Sequence, residues 1–290
     1  MNLPLFSVSE FTTWHLSFEE DLALYRQLGL AGIEVCERKL SSDPARAREQ
    51  LAQLKASGLR VTSVQPRCHA LFPDSMSPAP ADPRERLALY RQTIDLFAEA
   101  FPGENLPLVA IGGHAPGYNF RLARQTARAL YPALADYAAE RGARIMFEPL
   151  NPMFMGTDGF VCSLDGAVEL VRAVNRPNFG LLLDTWHVWR EPGLTQRVAA
   201  LGDRIFGVHI CDWPAGEPRA QGDRVLPGDG QIDLPAILGA VEAGGYRGAY
   251  CLEIFSADDL PGSLWQADPA AVIRRGRAGF AAAWQKGGRR

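Results

Sequence analysis

Four apolar runs in the second half of the chain each end in a group that can ligate a cation or carry a proton. Ile145-Met146-Phe147 leads into Glu148, Leu181-Leu182-Leu183 into Asp184, Val208 into His209, and Cys251-Leu252 into Glu253. One carboxylate at the end of a strand is ordinarily a helix cap or a solvated charge. Four such ends at one place would set three carboxylates against each other, and their repulsion calls for a cation between them. Glu148, Asp184, His209 and Glu253 therefore read as the ligands of one divalent metal ion. Three oxygen donors and one nitrogen, without thiolate, suit Mn²⁺, Mg²⁺ or Co²⁺ better than a structural zinc, with catalytic Zn²⁺ as a further option.

The elements that must bring these groups together show in the periodicity. Short runs rich in Val, Ile, Leu and Phe occupy 3–8, 32–36, 60–64, 106–111, 144–147, 179–183, 205–210 and 249–254. Between them, apolar residues recur at helical spacing over 18–28, 44–57, 83–100, 121–141, 163–174, 194–201 and 234–243, and 268–284 closes the series. Ser17 and Glu20 have capping-box spacing, Pro44, Pro83, Pro235 and Pro269 stand at first turns, and Gly58 and Gly142 stop helices. Eight strands alternating with eight helices predict an α/β fold, a single-domain (β/α)₈ TIM barrel over 1–284 with a frayed tail at 285–290. An open, doubly wound sheet is the alternative, but the Gly-rich phosphate turn that marks it after a first strand is missing. In such a barrel the strand C-termini share one mouth, which is where the four ligands fall.

Composition narrows the classes further. The 290 residues carry 30 Lys and Arg against 33 Asp and Glu, a net charge of −3, so no overall field gathers nucleic acid or anionic lipid. No basic residue precedes Arg26, no apolar stretch reaches the length of a membrane span, and the five cysteines form no C-x-x-C pair. A cytoplasmic protein with reduced thiols is expected, without nucleic-acid or membrane partners and with homo-oligomerisation open. None of the lysines Lys39, Lys55 and Lys286 reads as a desolvated Schiff-base amine, and Lys39 is expected in a charged loop.

With these residues in place, the chain resembles the xylose-isomerase-like TIM-barrel superfamily, the sugar phosphate isomerase/epimerase and inosose-dehydratase group. The matching segments are Gly32-Ile33-Glu34, Phe147-Glu148-Pro149-Leu150-Asn151, Leu183-Asp184-Thr185-Trp186-His187, Val208-His209-Ile210-Cys211-Asp212, Pro227-Gly228-Asp229-Gly230-Gln231-Ile232-Asp233 and Leu252-Glu253-Ile254. The resemblance implies one divalent metal on a Glu–Asp–His–Glu set, here Glu148, Asp184, His209 and Glu253. It also implies a substrate contact for His187 and an active-site arginine at Arg224, against the simpler pairing of Arg224 with Asp223. Glu34 is a candidate for sugar hydroxyls or for a structural ion pair. His69 and His114 follow the third and fourth strands as candidate substrate contacts or as hydrogen-bonded loop residues. Trp14, Phe72, Tyr118, Phe154, Trp186, Trp213 and Phe255 lie just past strand ends, where together they would wall a pocket.

The expected reaction is proton transfer next to a carbonyl through a metal-stabilised enediolate. Glu148 and Glu253, from the fifth and eighth strands, would face each other across the mouth and exchange the substrate proton. Return of the proton on the opposite face is epimerisation, and return to the neighbouring carbon is isomerisation. Expulsion of a β-hydroxyl, in a keto-cyclitol or related keto acid, would make the same site a dehydratase. An unphosphorylated sugar, keto-sugar or cyclitol is the expected substrate, because Asp258 and Asp259 after the eighth strand repel an anion, although Arg219 and Arg224 leave phosphate open. Two further alternatives are an apurinic endonuclease IV-like nuclease and a metal- or sugar-binding barrel without turnover. The nuclease would use His69, His114, His187 and Asp223, but Val225 stands where its last histidine is needed.

Overall fold

Every strand of this chain is short and largely buried, which a parallel barrel requires because helices cover its outside. The computed structural model describes residues 3–216 and 222–287. Its strands are β1 (Phe6–Ser9), β2 (Gly32–Cys36), β3 (Arg60–Gln65), β4 (Pro107–Ala110), β5 (Arg144–Phe147), β6 (Phe179–Asp184), β7 (Ile205–Ile210) and β8 (Tyr250–Leu252). They are arranged in chain order as a closed barrel. The helices are α1 (Phe18–Gln27), α2 (Pro44–Ser57), α3 (Pro83–Ala100), α4 (Phe120–Glu140), α5 (Leu164–Val174), α6 (Thr185–Val188), α7 (Leu194–Ala199), α8 (Leu234–Ala243) and α9 (Pro269–Gly287).

The residues fall into two internally compact groups, 1–62 with 184–203 and 207–290, and 63–183 with 204–206. In the first, β1 pairs in parallel with β2 and β8, and β7 with β8, with Val8 and Ile210 both opposite Leu252. In the second, β4 pairs with β3 and β5, and β5 with β6. Phe147, at the end of β5, packs with Tyr131 of α4 and Phe179 of β6 at ring-centroid distances of 5.9 and 6.5 Å.

Helix starts follow the local chemistry read from the sequence. At α1 the Ser17 hydroxyl accepts from the Glu20 N–H while the Ser17 N–H donates to the Glu20 carboxylate at 2.7 Å. Asp43, Asp82 and Asp233 cap α2, α3 and α8, each just ahead of a proline in the first turn. No helix among the described residues is long and apolar enough to cross a membrane.

Three features depart from the sequence reading. The four-residue α6 sits directly after β6, where the Asp184 side chain accepts the Trp186 N–H at 2.7 Å and caps it. Helix α9 continues through Gln285, Lys286 and Gly287, placed in the tail above, while 288–290 lie outside the described residues. Its end is seated on α8, since a Cβ on Gly287 would come within 2.6 Å of the Pro235 carbonyl. Lys39, expected in a charged loop, ends a short 3₁₀ turn with its side chain buried: its Nζ donates to Asp21 Oδ2 at 2.6 Å and to the Thr13 carbonyl at 2.7 Å. Asp21, brought in on α1, supplies the countercharge that makes this burial tolerable.

Candidate active site

Within the first group of residues, the ends of β6, β7 and β8 bring three of the four predicted ligands together, and two of them, Asp184 and Glu253, share one cation. Asp184 closes β6 and is fully buried, and its Oδ2 accepts from Arg224 Nη1 at 2.8 Å. Glu253 follows β8, and its Oε2 accepts from the same Nη1 at 3.0 Å. His209 of β7 is held by Glu34 of β2, with Nε2 at 2.8 Å from Glu34 Oε2. Its Nδ1 lies 3.3 Å from Glu253 Oε2 without forming a hydrogen bond. In the second group, Glu148 is buried just past β5, and its N–H donates to the Ala110 carbonyl at 2.9 Å. One ligand atom each of Asp184, His209 and Glu253 lies within 4.8 Å of the others.

The charge states follow from these contacts. Burial alone would raise the Glu253 pKa, but His209 and Arg224 outweigh it and hold the carboxyl below its ordinary range. Burial works against a charged His209, yet Glu253 and Glu34 push its pKa well above the usual imidazole value. His187, on α6, goes the other way. Burial first, and the neighbouring Arg224 charge with it, lower its pKa to about 4, leaving a neutral ring 3.4 Å from Arg224 Nη2.

These residues fit a divalent cation. The donor set is carboxylate and imidazole, all buried. Glu34 engages Nε2 of His209, which directs the other ring nitrogen towards the Glu253 carboxylate; a carboxylate behind the imidazole is the usual means of orienting a ligating histidine. Glu34, a candidate for sugar hydroxyls in the sequence, is therefore placed behind His209, with no exposed surface.

Arg224 is held as firmly as the ligands. Its guanidinium lies between the rings of Trp186 and Phe255, 5.0 and 4.9 Å from their centroids. The backbone that carries it is organised by Asp212, whose role the sequence did not disclose. Asp212 exchanges two backbone hydrogen bonds with Val225, and its carboxylate accepts the N–H groups of Trp213, Gly228 and Ile232 at 2.9, 3.0 and 2.8 Å. Gly228 takes a left-handed φ of 92°, and a Cβ on Gly230 would lie 2.2 Å from the Trp213 carbonyl. The available signal was the Gly-Asp-Gly turn following an aspartate at the end of β7. Arg219 lies outside the described residues.

The other candidates are placed differently. His69 is buried with Nδ1 3.1 Å from the Pro66 carbonyl, and His114 packs edge-on to Tyr118 at 5.0 Å. Neither belongs to a metal-competent cluster among the described residues. Trp186 and Trp213 pack against each other at 4.6 Å and are buried, Trp186 under Arg224 and Trp213 under Arg190, rather than lining open space. Trp14 packs on Phe11 and Trp265, whereas Tyr118 is 65% exposed.

Comparison with known proteins agrees with this architecture. The model of the xylose isomerase-like TIM barrel family matches residues 22–281, and the chain belongs to that family. It is 34% identical over 147 residues to an L-ribulose 3-epimerase of Methylomonas sp. (strain DH-1), covering 50% of this chain and 47% of that protein. It is 28% identical over 246 residues to a 3-dehydroshikimate dehydratase of Pseudomonas putida, covering 82% of this chain and 36% of the dehydratase. The chain thus spans less than half the length of these curated relatives, both of which are enzymes. Among solved structures, protein SMc04130 of Sinorhizobium meliloti 1021 superposes with a TM-score of 0.82 at 26% identity, covering 96% of this chain and 98% of that one.

Proposed function

We propose that this protein is a divalent-metal-dependent isomerase or epimerase of a small unphosphorylated sugar, keto-sugar or cyclitol, acting by proton transfer next to a carbonyl. The observation that carries this reading is the buried junction of Asp184, His209 and Glu253 at the ends of β6, β7 and β8. Glu148, Asp184, His209 and Glu253 would hold the ion, Mn²⁺ by preference, and the ion would supply Lewis acidity to a carbonyl and its neighbouring hydroxyl. Glu148 and Glu253 carry the proton: one carboxylate oxygen takes it from the carbon beside the carbonyl, and the electron pair moves into an enediolate. The other returns a proton, to the opposite face in an epimerisation or to the adjacent carbon in an isomerisation. Arg224 presents a fixed positive charge to oxygen on which negative charge develops. His187, neutral by burial, serves as a hydrogen-bonding partner for a substrate hydroxyl. The likeness to an L-ribulose 3-epimerase supports the sugar substrate.

A second reading has its own support in the dehydratase likeness over 82% of the chain. There the same first step is followed by loss of a β-hydroxyl as water, giving an unsaturated ketone. One experiment separates the outcomes. The protein is incubated with Mn²⁺ in D₂O and a panel of ketoses, inososes and keto acids, and the products are followed by NMR and ultraviolet absorbance. Deuterium beside the carbonyl of an intact sugar is expected. Enone absorbance would assign the dehydratase instead, and no exchange with any divalent metal would contradict proton transfer altogether.

A further inference from the structure

Strand β8 ends at Leu252, one residue short of Glu253, so regular strand pairing does not itself fix the acid. The Glu253 N–H makes a 3.3 Å bond to the Ile210 carbonyl on the β7 side. On the β1 side, a continuing parallel ladder would have one residue of β1 bond to both the Leu252 carbonyl and the Ile254 N–H. But β1 stops at Ser9 and the chain turns at once, the Thr12 N–H donating to the Ser9 carbonyl at 2.8 Å. By register Ser9 is that residue, but the Thr12 N–H occupies its carbonyl, and the turn instead brings the Thr12 hydroxyl to the Ile254 N–H. Thr12 Oγ1 donates to the Leu252 carbonyl at 2.9 Å and accepts from the Ile254 N–H at 3.1 Å. A single buried hydroxyl thus holds the peptide groups on both sides of Glu253.

A second tie acts on the same two loops. Trp265 Nε1 donates to the Phe11 carbonyl at 2.8 Å and to the Ile254 carbonyl at 3.2 Å. The β1 loop is itself anchored from behind, since the Thr13 carbonyl accepts from the buried Lys39 ammonium.

We propose that Thr12 is a positioning residue that completes the sheet one rung beyond β8 and so aims the Glu253 carboxylate at His209 and Arg224. The inference rests on the reading of Glu253 as a metal ligand and proton-transfer group. Only a side chain with both a donor and an acceptor on one atom at this reach can satisfy the two peptide groups together. Threonine and serine qualify; valine, of the same shape as threonine, removes the acceptor of the Ile254 N–H and the second donor to the Leu252 carbonyl.

The test compares T12V with T12S, using the intact chain loaded with Mn²⁺. In T12V we expect Mn²⁺ affinity to fall by roughly 10–100-fold, the usual scale for loss of a group behind a metal ligand. We also expect turnover to fall with little change in KM, and hydrogen exchange at the Ile254 amide to speed up. T12S should restore all three towards wild type, which a loss of bulk packing would not allow. If T12V binds Mn²⁺ as wild type does and keeps the Ile254 amide protected, the proposal is overturned. Wild-type protein that binds no Mn²⁺ would instead overturn the metal reading; Ile254 exchange alone then decides the clamp, slow in T12S and fast in T12V if it is right.

Discussion

Glu34 and His209 show how a residue's task is set by its partner rather than by its type. A glutamate at the end of β2 has the chemistry to bind hydroxyls, but the imidazole 2.8 Å away engages it from within the barrel. Glu34→Gln should keep the fold and weaken Mn²⁺ binding by roughly 10–100-fold in a metal titration; unchanged affinity would remove Glu34 from the site. A different buried acid carries a pH prediction. Burial foremost, and Asp21 beside it, raise the Glu10 pKa well above the ordinary carboxylate value. The folded chain therefore holds a proton on Glu10 that the unfolded chain releases near pH ~4.3. Stability from this group is present below that pH and is lost as pH rises towards the raised folded value. Thermal unfolding of Glu10→Gln should accordingly decline less between about pH 5 and 8 than that of wild type, and parallel profiles would refute the assignment.

At the scale of elements, the site depends on turns that follow strands more than on the strands. The Gly228–Gly230 turn exists to let Asp212 collect three N–H groups and so place Arg224. Gly230→Ala should fold, yet its Cβ would strike the Trp213 carbonyl and the Asp212 carboxylate. Displacing Arg224 by about 1 Å would cost turnover on the order of 100-fold, measurable as a loss in kcat with circular dichroism unchanged. These turns also mark where sequence reading stopped. The bounds of β2, β5, β7, α2, α3 and α8 could be read directly, because burial on one or both faces imposes a period. Helix α6 has four residues, too few for any period. Thr12 leaves no trace, since a polar residue in a turn looks the same whether it faces water or holds a strand end, and Asp212 is marked only by the Gly-Asp-Gly turn that follows it. The Lys39–Asp21 pair was not legible because Asp21 arrives on another element.

For the whole molecule, the alternation of eight strands with helices was enough to predict the closed barrel, and with it that Asp184, His209 and Glu253 stand together at the ends of β6, β7 and β8. The chemistry of the mouth is less legible, because the packing of loop side chains such as Trp14, His187 and Phe255 has no linear signature. On the proposed function, a bound cation would add to the Arg224 charge that already lies against the buried carboxylates of Asp184 and Glu253. Saturating Mn²⁺, at about 100 times its Kd, should stabilise the protein by about 2.7 kcal/mol and raise Tm by roughly 5 °C or more; Asp184→Asn should show no such rise. The central claim is that Glu148, Asp184, His209 and Glu253 bind one divalent ion together. It is tested most directly by measuring Mn²⁺ bound per chain in the wild type, Glu148→Gln and Asp184→Asn. One ion per wild-type chain and none in either folded variant is the expected result; equal metal content in all three would contradict the account.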